Sequence, residues 1–155
     1  MAPLPVNTEF LCTLALKVGA PAPVGDAGKH DLRIVPVIGG TATGPGLNAE
    51  VVAGASADWL RIEPDGTTHI DVKLTLRTES GAHLFLQYNG FRAGPPEVLA
   101  ALGRGEAVPV DQYYFRVTAR FETAEPSLAW LNRVVVVGIG QRPPTGPQYD
   151  LYVVK

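Results

Sequence analysis

This sequence predicts an all-β chain folded as a single antiparallel β-barrel of about eight or nine strands. Three observations carry that reading. Segments alternating apolar and polar residues recur along the chain, as half-buried strands do. Between Asp58 and Asn89, two turn signals join three such segments into consecutive hairpins. The chain also carries 17 glycines and 14 prolines among 155 residues, enough to punctuate many short elements. A two-sheet sandwich would satisfy the same pattern. The barrel is favoured because closure removes exposed strand edges and sequential hairpins build it simply. No internal repeat or linker interrupts the chain, so one domain over 1–155 is expected.

In chain order, Glu9 to Val18 sets Phe10, Cys12, Leu14, Leu16 and Val18 on one face and reads as a strand. Gly19 to Lys29 is a proline- and glycine-rich loop. Leu32 to Ile38 is a second strand, interrupted at Pro36, which favours an edge or a bulge. Leu47 to Ala53 is a third, and the hairpin trio follows. Pro96 to Leu102 (PEVLAAL) is the only helical stretch, too short to cover a sheet. Tyr113 to Thr123 alternates Tyr113, Phe115, Val117, Ala119 and Phe121 against polar neighbours. Arg133 to Gly140 is nearly all apolar, as for a strand buried on both faces. Tyr149 to Val154 closes the chain.

The trio also predicts a register. Glu63-Pro64-Asp65-Gly66-Thr67 suits a type I turn followed by a glycine at positive φ, which closes a three-residue hairpin loop. Glu79-Ser80-Gly81 suits the same loop without the proline. Glu63 then faces Thr67, and Thr78 faces Ala82. Counting back, Asp58 lies opposite Val72, and Val72 opposite Tyr88. One face carries Asp58, Leu60, Ile62, Ile70, Val72, Leu74, Leu76, Leu84, Leu86 and Tyr88. The other carries Trp59, Arg61, His69, Asp71, Lys73, Arg77, His83, Gln87 and Asn89.

Composition narrows the function classes. Hydrophobic residues make up 46% and charged residues 18%, which fits a folded chain rather than a disordered one. The net charge of −2 comes without a basic cluster, so no nucleic-acid partner is expected. No apolar run is long enough to span a membrane as a helix, and no membrane partner is expected. The opening MAPLPVNTEF has neither a basic nor an apolar leader region, so no signal peptide is expected and the default compartment is the cytoplasm. Cys12, the only cysteine, reads as a small core residue. His30, His69 and His83 show no ligand spacing, so no metal is expected. The glycine-rich stretches lack the lysine or the following helix that a phosphate cradle needs.

Several local patterns occur together in order. Arg33 precedes Pro36, Gly39 and Gly40, and Gly44-Pro45 follows. Asp58-Trp59 precedes a turn, then Asp71-x-Lys73, then Thr78-x-x-Gly81-Ala82. Tyr114-Phe115-Arg116 leads into Arg120-Phe121-Glu122-Thr123, and Trp130-Leu131-Asn132 precedes a valine-rich strand ending Gly138-x-Gly140. Over nearly the whole chain this resembles the bacterial and fungal domain-of-unknown-function family 3237. The resemblance implies a calycin-like or allene-oxide-cyclase-like antiparallel barrel, a homodimer, and no established activity. Two departures from the family pattern are Ala49 in place of glycine and a Gly54–Ala57 run one residue longer than usual.

The candidate chemistry rests on Asp58 and Tyr88, the two polar residues on the apolar face. Two strand spacings, roughly 10 Å, would let them flank a bound molecule. A carboxylate in an apolar lumen has a raised pKa and can act as general base or acid. Tyr88 could donate to a developing enolate or phenolate. Equally, Asp58 could simply accept backbone N–H groups, and Tyr88 could place its hydroxyl in water. Arg33 could bind a ligand carbonyl or carboxylate, or pair with a nearby acid. Trp59 and Asp71 belong to the opposite polar row, which is a solvated face with cross-strand ion pairs unless the faces are inverted; Trp59 could also anchor a subunit contact. Phe115 and Trp130 complete the candidate substrate contacts, Trp130 as a lid or a structural plug. The expectation is a cofactor-independent acid/base isomerase, cyclase or lyase acting on an apolar aromatic or enone-like molecule. The alternatives are a non-catalytic binder of an apolar small molecule, and a dimeric structural module with a filled barrel.

Overall fold

The computed structural model describes residues 1–155. Ten strands form one closed sheet: β1 (Thr8–Val18), β2 (Ala22–Asp26), β3 (Asp31–Thr43), β4 (Ala49–Val51), β5 (Ala57–Ile62), β6 (Thr68–Arg77), β7 (His83–Ala93), β8 (Tyr114–Thr123), β9 (Val136–Gln141) and β10 (Gln148–Val154). Every pairing is antiparallel, in the order β1-β10-β9-β8-β7-β6-β4-β3-β2, and β1 also pairs with β3. That last pairing closes an eight-strand barrel, with β2 and β4 as two extra strands. One α-helix, α1 (Pro96–Gly103), links β7 to β8.

The hairpin trio folds as its turn chemistry dictates. Glu63 N–H donates to the Thr67 carbonyl and Thr78 N–H to that of Ala82. Gly66 and Gly81 both take φ near +89°, the left-handed region that the three-residue loop requires. The ladder pairs Asp58 with Val72 and Val72 with Tyr88. Ile70, Val72, Leu74, Leu76, Leu84, Leu86 and Tyr88 are all buried, so the predicted inward face is the lumen.

Several elements differ from the sequence reading. In β1 a register shift between Phe10 and Cys12 buries Leu11 and leaves Phe10 exposed, and β3 runs on past Ile38 to Thr43. The proline- and glycine-rich loop contains β2, a short edge strand on β3. The third predicted strand shrinks to β4, because β4 and β5 divide one stave of the barrel between them. β4 pairs with Thr41–Ala42 and Leu76–Arg77, and β5 takes the other half of the same neighbours. The run between them is stitched to both flanks: Thr75 N–H donates to Ser56 Oγ, and Val37 N–H donates to the Ser56 carbonyl. In β9 only alternate residues are buried; Val135 and Ile139 are about half exposed, so the strand is not covered on both faces. Residues Pro126–Arg133 form a 3-10 segment in which Leu131, not Trp130, enters the core.

The lumen is filled by a cluster of 27 buried residues contributed by every barrel stave. Cys12 belongs to it, fully buried. Burial, helped by the negative charge of Asp150, pushes its thiol up to about 12. Only the thiolate reacts with alkylating reagents. Native protein at neutral pH is therefore expected to resist iodoacetamide, with one thiol labelled only after unfolding. Stoichiometric labelling of the native protein, read by mass spectrometry, would contradict this packing.

Candidate functional site

The polar residues of the lumen gather at one end, the end spanned by the β5–β6 turn, by α1 and by the β9–β10 turn. Asp58 stands there because of an opening in the sheet. β5 and β6 pair at Asp58–Val72 and again at Arg61–His69 with no change of register, but Trp59 and Leu60 have no partner between them. Side chains close this window. Asp71 N–H donates to Asp58 Oδ1 at 3.2 Å, and Arg61 Nη1 donates to the Trp59 carbonyl at 3.3 Å. Asp58 thus has a structural bond on one oxygen, while Oδ2 accepts no protein hydrogen bond. Burial pushes its carboxyl up to about 7, against the Asp71 N–H bond and the Arg92 charge, which both lower it.

Across the lumen, β7 turns Tyr88, Gly90 and Arg92 inward. Glycines clear the space around them. A Cβ on Gly140 would lie 2.6 Å from the Phe115 ring, and one on Gly138 would lie 2.6 Å from Val117. Into that space pack three rings. The centroids of Tyr88 and Tyr149 are 4.9 Å apart, and those of Phe115 and Tyr149 are 5.2 Å apart, both edge to face. The Tyr88 hydroxyl is buried and has no hydrogen-bond partner in the protein. Burial, then the neighbouring Tyr149 and Asp58, raise its pKa well above the ordinary tyrosine value; the Tyr149 hydroxyl is near enough to contribute, though not placed for a hydrogen bond. Tyr149 is raised as well, by burial and then by Asp58.

Arg92 completes the cluster. Its guanidinium carbon sits 5.7 Å from the centroid of Phe115, its cross-strand neighbour. Burial lowers its pKa, Tyr149 opposes that shift, and the like charge of Arg142 adds to it; an arginine nonetheless stays cationic at neutral pH. Arg142 lies in the β9–β10 turn. Its N–H donates to the Tyr113 hydroxyl at 2.9 Å, and its Nη1 donates to the Pro143 carbonyl. The mouth therefore sets one carboxyl that titrates near neutrality among two guanidiniums and three tyrosines. A group with that poise can take a proton from a carbon or hydroxyl acid and return it. The guanidinium and phenol donors can hold the oxygen on which charge then develops.

Of the residues proposed from sequence, Asp58, Tyr88 and Phe115 meet at this mouth. The other four lie elsewhere. Arg33 is exposed on β3 and pairs with Asp31 at 2.9 Å, the ion-pair alternative. Trp59 and Asp71 are on the outer face, where Lys73 covers the indole at 4.9 Å. Asp71 accepts from Arg61, Lys73 and Asn89, each at 3.2 Å. Partial burial raises the Asp71 pKa, but Lys73 and Arg61 outweigh it and hold the carboxyl below its ordinary value. Trp130 is 43% exposed beside the end of β8 remote from Arg92. Asn132 anchors that corner through the backbone N–H and carbonyl of Thr123. The outer sheet also carries a groove of about 730 Å³ lined by Phe91, Tyr114, Arg116 and Ile139. Arg92, Arg142, Tyr113 and Tyr149 were not read as site residues. Arg92 had a signal, since Tyr88-x-Gly90-x-Arg92 continues the inward period of β7.

A family model described as "Protein of unknown function (DUF3237)" matches residues 6–154. A UPF0311 protein of Rhodopseudomonas palustris is 33% identical over 137 residues, covering 88% of this chain and 89% of its own. The crystal structure of a conserved protein of unknown function from that organism superposes with a TM-score of 0.93, at 31% identity over 99% of this chain and 100% of its own. A β-barrel-like protein from Acinetobacter baumannii has a TM-score of 0.84 at 34% identity, covering 99% of each chain. A structure described as an enzyme from Penicillium herquei shares the fold, with a TM-score of 0.76 at 19% identity over 100% of this chain and 98% of its own.

Proposed function

We propose that this chain, which belongs to the DUF3237 family, binds a small molecule at the polar mouth of its barrel and acts on it as an acid–base isomerase, cyclase or lyase. The substrate is an apolar aromatic or enone-like molecule. One observation carries the reading: the buried Asp58 carboxyl, pushed up to about 7, stands beside the Arg92 guanidinium, which pairs with no carboxylate, and near the buried Tyr88 phenol. A purely structural core seldom leaves a guanidinium without a carboxylate or carbonyl partner, since most buried polar groups are paired. The structure from Penicillium herquei described as an enzyme is a distant likeness, and an enzymatic reading of this chain is supported by this cluster.

In an isomerisation, the Asp58 carboxylate removes an α-proton; the C–H pair moves into the enolate, and its oxygen accepts from Arg92 and Tyr88. The protonated Asp58 then returns the proton to another carbon, leaving the enzyme unchanged. Aspartate with a pKa near the working pH suits both halves of that cycle. Phe115 and the tyrosine rings, buried below the mouth, keep water from the far side of the polar cluster.

Proton exchange into deuterated water, followed by NMR on a panel of cyclic enones and diketones, tests this. Wild type is expected to accelerate α-proton exchange on members of the panel, and Asp58→Asn to lose about 10²–10⁴-fold of that rate. If Asp58→Asn exchanges as fast as wild type, or wild type accelerates no member, the acid–base reading fails. Binding that persists in both proteins without exchange would leave the non-catalytic binder as the function.

A further inference from the structure

We propose that the mouth selects substrates presenting an anionic oxygen, and that Arg92 is the residue that holds this oxygen. The inference rests on the acid–base reading of the mouth and adds the charge class of its substrate.

Three of the eight other arginines pair with a carboxylate, while Arg77, Arg120 and Arg133 go unpaired on the exposed surface. Arg33 pairs with Asp31, Arg61 with Asp71 and Arg104 with Glu106, at 2.7 to 3.2 Å. Arg92 is more enclosed than any of these, and yet it forms no ion pair and donates no hydrogen bond to the protein. Withdrawing a guanidinium from water without a partner is costly, so a group that stays unpaired is placed for something that arrives. Asp58 is close enough to feel its charge but not to pair with it. Arg142 adds a second cation on the same side, with one of its nitrogens already committed to the Pro143 carbonyl. Arg92 and Arg142 therefore stand near each other beside one carboxyl that burial discourages from ionising, and the mouth carries excess positive charge. Its remaining donor, the Tyr88 hydroxyl, has no acceptor.

The geometry also leaves the guanidinium oriented. Phe115 lies beneath the guanidinium and holds it in place by stacking, which leaves the N–H edge free for a bidentate oxygen pair. The Tyr88, Tyr149 and Phe115 rings are buried and packed edge to face against one another, so they fix the guanidinium in place. A carboxylate and an ionised enol or phenol both present the required oxygen.

Calorimetric titration with three probes of one ring system separates these cases: naphthoate, nitronaphtholate and the neutral naphthalenemethanol. Wild type is expected to bind at least one anion about tenfold or more tightly than the neutral alcohol. Arg92→Gln should lose that preference while keeping its affinity for the alcohol, and Arg92→Lys should recover part of it. Naphthoate preferred over nitronaphtholate assigns the oxygen to a carboxylate, and the reverse assigns it to a phenolate or enolate. Equal binding of anions and alcohol by wild type overturns the inference. So does full anion affinity in Arg92→Gln, or no binding of any probe at millimolar concentration. Each of these can occur while Asp58-dependent proton exchange survives, so the failure of the anion site and the failure of the acid–base site are separately visible.

Discussion

Asp58→Asn is expected to be more stable than wild type by about 2–4 kcal/mol at about pH 8, and nearly equal to it at about pH 4. The reason is where the carboxyl stands. Its pKa is about 7 in the folded protein against 3.8 ordinarily. Between those values the folded chain binds more protons at this site than the unfolded chain does. Stability from this group is therefore complete below the unfolded value, falls as pH rises through the window, and stays at its low level above about 7. Asparagine removes the charge and keeps an oxygen that can accept from Asp71 N–H. Urea unfolding of both proteins at the two pH values isolates Asp58, because every other titrating group is common to both. Equal stability at the higher pH would show that Asp58 ionises as an ordinary carboxylate, and it would remove the physical basis of its role. A substitution that stabilises the fold while abolishing proton exchange is what a strained functional group predicts.

Gly90→Ala is expected to cost about 4 kcal/mol or more, a large share of the whole stability of a domain this size. Gly90 pairs with Ile70 on one side and Val117 on the other, on the inward face of β7. A Cβ there would collide with the Arg116 carbonyl and lie 2.7 Å from the Val117 Cα. Both are backbone atoms of the neighbouring strand, so no rotamer change relieves them, and β7 would have to part from β8. That seam positions Tyr88 and Arg92 against Phe115, so the damage reaches the site. Gly103→Ala is the control: nothing lies within 4 Å of its Cβ and its φ is not positive. It is expected to change stability by less than about 1 kcal/mol. Thermal melts of the two variants decide the matter; a Gly90→Ala protein that melts with the control would refute the close approach.

What could be read from the sequence was what is local or periodic. The Pro64-Asp65-Gly66 and Glu79-Ser80-Gly81 loops set the register of three strands by turn chemistry alone. Alternation then assigned the lumen face residue by residue, which is how Asp58 and Tyr88 fell on one row. β2 escaped because Pro23 and Gly25 hide a strand that only an established neighbour stabilises. The split stave of β4 and β5 escaped because nothing local shows that two segments share one position in a barrel. β9 was read as covered on both faces because an apolar run does not state its own environment; Val135 and Ile139 face outward where no second layer exists.

The site divides in the same way. Periodicity placed Asp58, Tyr88 and Phe115 in the lumen. Only closure of the sheet brings Tyr149 of β10 and Arg142 of the last turn to face Arg92 of β7, because that convergence depends on β1 pairing with both β10 and β3. The electrostatics are likewise tertiary. The sequence contains an aspartate and an arginine; that the aspartate closes a window in the β5–β6 ladder, and that the arginine lies over a ring with no partner, follows from packing at long range. By itself the sequence determined the fold class, the strand register and the polar pair, since turn geometry and a two-residue period are local properties. The tertiary structure decided the charge, the unpaired donors and the raised carboxyl pKa, since burial and electrostatic neighbours exist only once the barrel has closed.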